Sequence, residues 1–119
     1  VLNRKKAAEW YKNVLGFTIV ESLTLWAEDE DGPLTIKDSS GKIHLALFQQ
    51  RKNFTPSTAI AFNAGGKEFL KWKDWLKKQN ISLRCSDHKV AWSIYFKDLY
   101  DNSHEITTYE YDYVSSQLK

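Results

Sequence analysis

The sequence has 119 residues, of which 42% are hydrophobic and 27% are charged, so we expect one domain, residues 1–119, with a single core. No apolar run approaches the roughly 20 residues needed to span a membrane. Its single cysteine, Cys85, excludes an internal disulfide and a cysteine-based zinc site. The mild net charge of +2, with lysines gathered mostly on one helical segment, speaks against nucleic acid as a partner. We therefore expect a cytoplasmic protein that binds neither nucleic acid nor membrane.

The first half of the chain reads as one helix followed by three strands. Asn3 is a suitable cap for a helix over residues 4–15, and Gly16 is a residue at which such a helix ends. Apolar and polar residues then alternate, or turn residues bound short apolar runs, as is typical of strands. The three predicted strands are 17–29, 34–38 and 42–50.

The second half repeats this order behind a linker at residues 51–57. A strand at 58–64 precedes an amphipathic helix at 67–80, in which we expect Phe69, Trp72, Trp75 and Leu76 to face inward. Asn80 is predicted to be a left-handed C-cap. Three more strands are predicted at 81–85, 91–96 and 105–111.

These elements predict an internal duplication. Module two, residues 58–119, reads as βαβββ, and module one, residues 1–50, is the same unit without its first strand. The sequence starts at Val1 and contains no methionine, so we expect the missing strand in residues that precede Val1.

Two stretches carry a resemblance to a known family. The first, "VLNRKKAAEWYKNVLGF" at 1–17, is similar to a helix entry in which Val-x-Asp leads to a Phe-Tyr pair and then Leu-Gly-Phe. The second, "YFKDLYDNSHEI" at 95–106, resembles Tyr-Phe-x-Asp-Pro-Asp-Gly-Asn-x-x-Glu-Ile. Asn3 replaces the family's Asp, and residues 99–101 replace Pro-Asp-Gly. The whole chain thus resembles the glyoxalase/bleomycin-resistance/dioxygenase, or vicinal oxygen chelate, superfamily.

The resemblance implies an α+β fold. Two βαβββ modules would form a curved, mostly antiparallel sheet around a ligand cavity, with the first strand of module one missing from the visible chain. Members commonly form homodimers and bind small organic molecules. Many hold one divalent metal, such as Zn, Ni, Mn or Fe, which acts as a Lewis acid for an anionic intermediate.

The resemblance also assigns metal-ligand positions to the first and last strands of each module. The last strand of module one places this position at His44, and the last strand of module two places it at Glu105. The first strand of module two has Ala59 where a histidine is common, and the corresponding position of module one precedes Val1. Three or more protein ligands are usual for a catalytic metal, so the predicted metal site is depleted.

Strand alternation agrees with two of these positions. His44 lies on the opposite face from Leu45 and Leu47, and Glu105 lies on the opposite face from Ile106. Two plainer interpretations stay open: Glu105 as a polar-lining carboxylate without metal, and His44 as a hydrogen-bonded histidine in a polar pocket. His88 and His104, near turns, are expected to be exposed.

Two functions follow from the resemblance. One is a metal-assisted lyase, isomerase, dioxygenase or thiol transferase, with Glu105 catalytic and both His44 and Glu105 on the metal. The alternative is a metal-free protein that sequesters its ligand, as bleomycin-resistance members do. Because the net charge disfavours a cationic ligand, a neutral or anionic molecule fits better. The aromatic residues expected to line the cavity are Phe48, Trp92, Tyr95 and Tyr109.

Overall fold

The computed structural model describes residues 1–50 and 59–118, and these divide into two compact units. The first unit contains residues 1–50 together with Asp98–Tyr100, and the second contains residues 59–97 and 101–118. The division falls near the predicted linker, 51–57, which lies outside the described residues. That the chain forms one domain remains a prediction. No helix of the described residues is long and apolar enough to cross a membrane.

The first unit begins with the predicted helix. Helix α1 is Arg4–Trp10, and the Asn3 side chain accepts a hydrogen bond from the Lys6 amide at 3.0 Å, which confirms the predicted cap. One π-helical turn, Tyr11–Leu15, continues the helix to Gly16, where φ is +75°. Glycine adopts this left-handed backbone without the steric cost of a Cβ atom.

A three-stranded antiparallel sheet follows in the first unit, in the order β1-β2-β3. Its strands are β1, Thr18–Ile19, β2, Leu34–Lys37, and β3, His44–Leu47. Next to β3, the Val1 amino group donates to the Phe48 carbonyl at 2.9 Å, and the Gln50 amide donates to the Val1 carbonyl at 2.7 Å. Val1 thus bonds to the two residues that flank Gln49, which is the hydrogen-bond pattern of parallel strands.

The prediction of a strand over residues 17–29 is wrong beyond Ile19. Val20 makes one more ladder bond, from its amide to the Thr35 carbonyl at 2.9 Å, and Glu21–Glu28 then forms a 3₁₀ helix with no buried residue. The Arg4 guanidinium explains how this segment ends. It donates to the carbonyl oxygens of Ala27 and, at 2.5 Å, Gly32, and alternation in the sequence carries no sign of such a distant partner.

The second unit contains the complete βαβββ order that the sequence predicts. Its sheet has the order β4-β7-β6-β5, in which β4 runs parallel to β7 and the other pairs are antiparallel. The second unit thus confirms the predicted α+β class. Its elements are β4, Ala59–Asn63, α2, Gly66–Lys78, β5, Leu83–Asp87, β6, Trp92–Lys97, β7, Ser103–Thr108, and α3, Tyr111–Gln117.

One face of this sheet forms the core of the second unit with its helices. Phe69 and Leu76 of α2 are fully buried, as predicted, whereas Trp75 is 41% exposed, so its predicted inward orientation is wrong. His104 was also predicted wrongly, since it is 1% exposed and lies between the rings of Phe62 and Phe96. Even-numbered residues of β7 face the core, and this parity decides the environment of His104.

Helix α3 is absent from the sequence prediction, which continued the last strand to residue 111. Strand β7 ends at Thr108, and Val114 of α3 is fully buried. The Trp92 indole N–H donates to Ser115 Oγ at 2.8 Å, and Tyr111 stacks on the Trp92 ring. The hydrogen bond and the stacking fix α3 over the core face of the sheet.

Candidate ligand-binding face

The other face of the second sheet is lined almost entirely by polar and small side chains. Cross-strand register assigns its members, because residues paired across strands point to the same side. We call this surface the polar face. Its members are Ala59, Ala61, Asn63, Arg84, Ser86, Ser93, Tyr95, Lys97, Ser103, Glu105 and Thr107.

Glu105 lies at the centre of the polar face with one carboxylate oxygen held by two hydroxyls. Ser93 Oγ donates to Glu105 Oε2 at 2.9 Å, and Thr107 Oγ1 donates to the same oxygen at 2.5 Å. The two hydroxyl oxygens lie 3.0 Å apart. Ser93 is only 1% exposed and Glu105 is half-buried. The carboxylate is therefore held in one orientation by neighbouring strands.

Tyr95 is the direct cross-strand partner of Glu105 and is itself held by two basic side chains. The Arg84 guanidinium carbon lies 4.4 Å from the centroid of the Tyr95 ring, a cation–π distance. Arg84 Nη1 also donates to Ser86 Oγ at 3.0 Å. His88 Nε2 lies 2.8 Å from the Tyr95 hydroxyl oxygen, and either one is the donor according to the imidazole tautomer.

The other residues singled out from the sequence lie elsewhere. His44 and Phe48 belong to the first unit, where His44 is exposed in register with Lys37 and Phe48 is 48% exposed. Trp92 lies on the core face of the second sheet, away from Glu105, against α3. Tyr109 follows the end of β7 and is 71% exposed. Of the residues predicted to bind substrate, Tyr95 alone shares the polar face with Glu105.

Several contributors to this face were not identified from the sequence: Arg84, Ser86, His88, Ser93, Lys97 and Thr107. Their signal was parity, since Ser93 and Tyr95 alternate on one strand while Glu105 and Thr107 alternate on the next. Alternation within one strand shows which residues share a face. It does not show which residues of neighbouring strands are paired, and that register brings these side chains together.

The donor set of the polar face does not fit a divalent metal. Glu105 is its one carboxylate, its neighbour on β4 is Ala61, and Ala59 lies two residues before that neighbour. The described residues contain no group of three His, Cys, Asp or Glu side chains arranged to hold an ion. Glu105 alone, which already accepts hydrogen bonds from two hydroxyl groups, falls short of the three protein ligands usual at a catalytic metal.

The two family-like stretches meet in the first unit. The Tyr11 hydroxyl, within the helix entry, donates to Asp98 Oδ2 at 2.6 Å, and the Tyr100 amide donates to Asp98 Oδ1 at 2.8 Å. Tyr11 and Asp98 are 3% and 6% exposed. Burial, with the hydrogen bond to Asp98 as a second cause, raises the pKa of the Tyr11 phenol far above its usual value. This buried pair joins the two stretches and stabilises the fold of the first unit.

Comparison with known proteins supplies the family. No family model matches the chain. It is 33% identical over 118 residues to the metallothiol transferase FosB of Staphylococcus haemolyticus, covering 91% of this chain and 77% of that protein. The corresponding protein of Staphylococcus epidermidis is 31% identical over 117 residues, with the same coverage.

Solved structures agree on the fold. The glyoxylase/bleomycin resistance protein/dioxygenase domain from Frankia sp. EAN1pec matches with a TM-score of 0.73 at 15% identity, covering 92% of this chain and 86% of that one. The fosfomycin resistance protein FosX from Listeria monocytogenes matches with a TM-score of 0.70 at 13% identity, covering 96% and 90%. The chain belongs to the glyoxalase/bleomycin-resistance/dioxygenase superfamily.

Proposed function

We propose that this protein binds a small organic molecule on the polar face of the second unit, with Glu105 as its polar anchor. The observation that carries the proposal is the fixed carboxylate: Ser93 and Thr107 hold Glu105 Oε2 at 2.9 and 2.5 Å. Pre-oriented polar groups on a rigid sheet reduce the conformational cost of binding. Glu105 also occupies the last-strand position to which the family resemblance assigns a metal ligand, at the cavity where members bind their small molecules.

Tyr95 supplies the apolar surface that such a site needs beside its polar groups. The ring is half-buried and is fixed by Arg84 and His88, so little rotamer freedom is lost when a ligand packs on it. The roles predicted for Phe48, Tyr109 and His44 stay predictions and are not part of this surface.

Charge favours a neutral or anionic ligand over a cationic one. The polar face carries two fixed positive charges, Arg84 and Lys97, against the one carboxylate of Glu105. The chain as a whole has a net charge of +2. Complementary potentials direct encounter with a ligand of opposite sign, so a cationic antibiotic of the bleomycin type is a poor match.

A screen by ligand-observed NMR, followed by amide chemical-shift mapping on the whole chain, tests this function. A genuine ligand should shift the amides of β5, β6 and β7 around Glu105 and should bind Glu105→Ala at least about tenfold more weakly. The matched control is Lys42→Gln, an exposed charge change in the first unit. Ligands that shift only amides outside the second sheet would overturn the proposal.

A second candidate, a metal-assisted thiol transferase, is favoured by one observation: the relatives at 31–33% identity are named metallothiol transferases. In that function Glu105 and His44 would bind a divalent ion such as Zn, Ni, Mn or Fe, and Glu105 would be catalytic. The ion would supply Lewis-acid activation of an oxygen. The test is the metal content of protein purified without chelator. Near-stoichiometric metal that is lost in Glu105→Ala would favour the metal-assisted thiol transferase over the metal-free binding protein.

We also propose that the protein is a cytoplasmic homodimer, as is common in the superfamily. Exposed apolar side chains support an assembly, notably Leu25, 60% exposed, and Trp26, 47% exposed. Light scattering after size-exclusion chromatography should give twice the chain mass of 13.9 kDa. A monomer mass at micromolar concentration would refute the dimer.

A further inference from the structure

We propose, resting on the function above, that the ligand is a small hydroxylated organic anion. Its anionic group lies at Arg84 and its hydroxyl donates to Glu105. The juxtaposition that carries this inference is a single row across the second sheet, in which register pairs Arg84 with Tyr95 and Tyr95 with Glu105. A guanidinium and a carboxylate thus belong to the two strands on either side of Tyr95.

The dimensions of the row limit the ligand to a short molecule. Neighbouring strands lie about 4.8 Å apart, so the backbones of Arg84 and Glu105 are roughly 10 Å apart. The Arg84 guanidinium lies over the Tyr95 ring, 4.4 Å from its centroid, and therefore extends toward Glu105. A molecule that contacts both side chains is therefore short, with a skeleton on the order of three or four carbon atoms.

The Arg84 end has the chemistry of an anion site. A guanidinium has five N–H donors in a fixed plane, and the Ser86 hydroxyl accepts one of them at 3.0 Å. The side chain is exposed and its orientation is fixed by Tyr95, so the other donors are available for bidentate contact with a carboxylate or phosphate.

The Glu105 end requires a proton donor from the ligand. The Thr107 hydroxyl proton goes to Glu105 Oε2. The single proton of Ser93 goes to that oxygen or to Thr107, whose oxygens lie 2.9 and 3.0 Å away. Both hydroxyl protons are therefore used within the cluster, which presents only lone pairs to a ligand.

In a small aliphatic ligand, a hydroxyl and an ammonium are two common groups that supply such a donor. The positive charges of Arg84 and Lys97 share the polar face with Glu105 and disfavour the ammonium, because like charges at this range repel. A hydroxyl meets the demand for a proton without adding charge. The preferred ligand accordingly combines one anionic group with at least one hydroxyl.

Isothermal titration calorimetry of the whole chain with two matched probes tests this ligand class. Glycerol phosphate carries hydroxyls, and propyl phosphate has the same carbon chain and charge without them. The protein should bind glycerol phosphate about tenfold more tightly than propyl phosphate, since a hydrogen bond to a charged group is lost with the hydroxyl. Equal affinities would overturn the hydroxyl contact with Glu105.

Variants separate the two ends of the row. Arg84→Gln should weaken both probes by about tenfold and keep the preference between them. Glu105→Ala should abolish the preference, and Thr107→Val, which removes one hydroxyl that orients the carboxylate, should reduce it by about threefold. Thr107→Ser, which restores the hydroxyl, should restore the preference. Lys42→Gln, the charge control in the first unit, should leave both affinities unchanged.

Failure of this inference differs from failure of the proposed function. If neither phosphate binds while other molecules from the NMR screen shift the amides around Glu105, the hydroxylated anion is refuted and the binding face stands. If Arg84→Gln leaves both affinities unchanged, the anion end of the row is refuted. A circular dichroism melt of each variant identifies any loss of affinity that comes from unfolding.

Discussion

Both units contain a helix followed by three strands, and they differ in how their backbones are held. The strands of the first unit are two to four residues long, and side chains complete its backbone hydrogen bonding. Arg4 binds carbonyl oxygens near residue 30, and Gln49 accepts from the Arg4 amide at 3.1 Å. The strands of the second unit are five or six residues long and pair continuously.

This difference explains why we place the proposed binding surface on the second unit. Regular ladders leave the side chains of the second sheet free to form one polar face and one core face, and cross-strand neighbours then fix each functional group. In the first unit the side chains of Arg4, Asn3 and Gln49 are occupied with the backbone. We therefore expect substitutions in the first unit to affect stability more than binding.

The largest expected effect is on the core of the second unit. Phe69→Ala removes a fully buried ring and should lower the free energy of unfolding by about 4 kcal/mol. Native-state hydrogen exchange, with Ile36→Ala as the equivalent truncation in the first unit, shows which amides lose protection. If Phe69→Ala lowers protection equally at β2 and β6, the two units unfold as one, and the contrast between them does not extend to stability.

Arg4→Gln should have the next largest effect. The substitution removes the guanidinium that binds the carbonyls of Ala27 and Gly32, and charge-assisted hydrogen bonds of this kind contribute about 3 kcal/mol together. Chemical denaturation measures the loss, and Lys5→Gln, on the same helix and exposed, is the matched control. An effect of Arg4→Gln no larger than that of the control would refute the claim that side chains hold the first unit.

Tyr11→Phe should cost about 2 kcal/mol at pH 7, because the Asp98 carboxylate loses a buried donor. Its pH dependence has a definite sign. The folded pKa of Tyr11 is raised above its ordinary 10.0, first by burial, so its stabilisation is complete below pH 10 and is lost as pH rises further. Urea denaturation between pH 8 and 11 should show a shallower alkaline decline in Tyr11→Phe than in the unsubstituted protein. Parallel declines would contradict the assignment.

Gly66→Ala should produce the smallest effect, about 1 kcal/mol of destabilisation. A Cβ atom at Gly66 would lie 2.7 Å from Tyr113 Cδ2 and 3.3 Å from Glu110 Cβ, so the Tyr113 ring must move. At Gly65 the nearest atom to an added Cβ is Glu110 Oε2 at 3.1 Å, and Gly65→Ala is the control. The melting temperature of Gly66→Ala should be lower than that of Gly65→Ala. The reverse order would show that α3 can move to admit the Cβ atom without loss of stability.

Local sequence signals predicted the parts of the fold that depend on local chemistry. Asn3 caps α1, and Gly16 adopts a positive φ. Asn80 has the predicted left-handed backbone, with φ +59°, although it follows Gln79, which is the C-cap of α2. The βαβββ order of the second unit was also readable, because apolar periodicity changes from two to 3.6 and back. The family followed from two short stretches, and the relatives confirm it.

What the sequence did not reveal depends on partners distant along the chain. Residues 21–28 alternate like a strand, yet they form a 3₁₀ helix whose last turn accepts a hydrogen bond from Arg4 at the Ala27 carbonyl. His104 and Trp75 were misplaced because parity and helix rotation depend on register with other elements. The polar row from Arg84 to Glu105 joins three strands, and its register is set by pairing that no single strand encodes.

Glu110 has a consequence for where anions can bind. Its Oε2 accepts the Gly66 amide at 2.7 Å, at the beginning of α2, where free N–H groups and the helix dipole normally attract a phosphate. The Glu110 carboxylate thus occupies this position. Because it belongs to the same chain, it competes with any free anion at a very high effective concentration. A negatively charged metabolite therefore meets an occupied helix end on one side of the second sheet and the open guanidinium of Arg84 on the other.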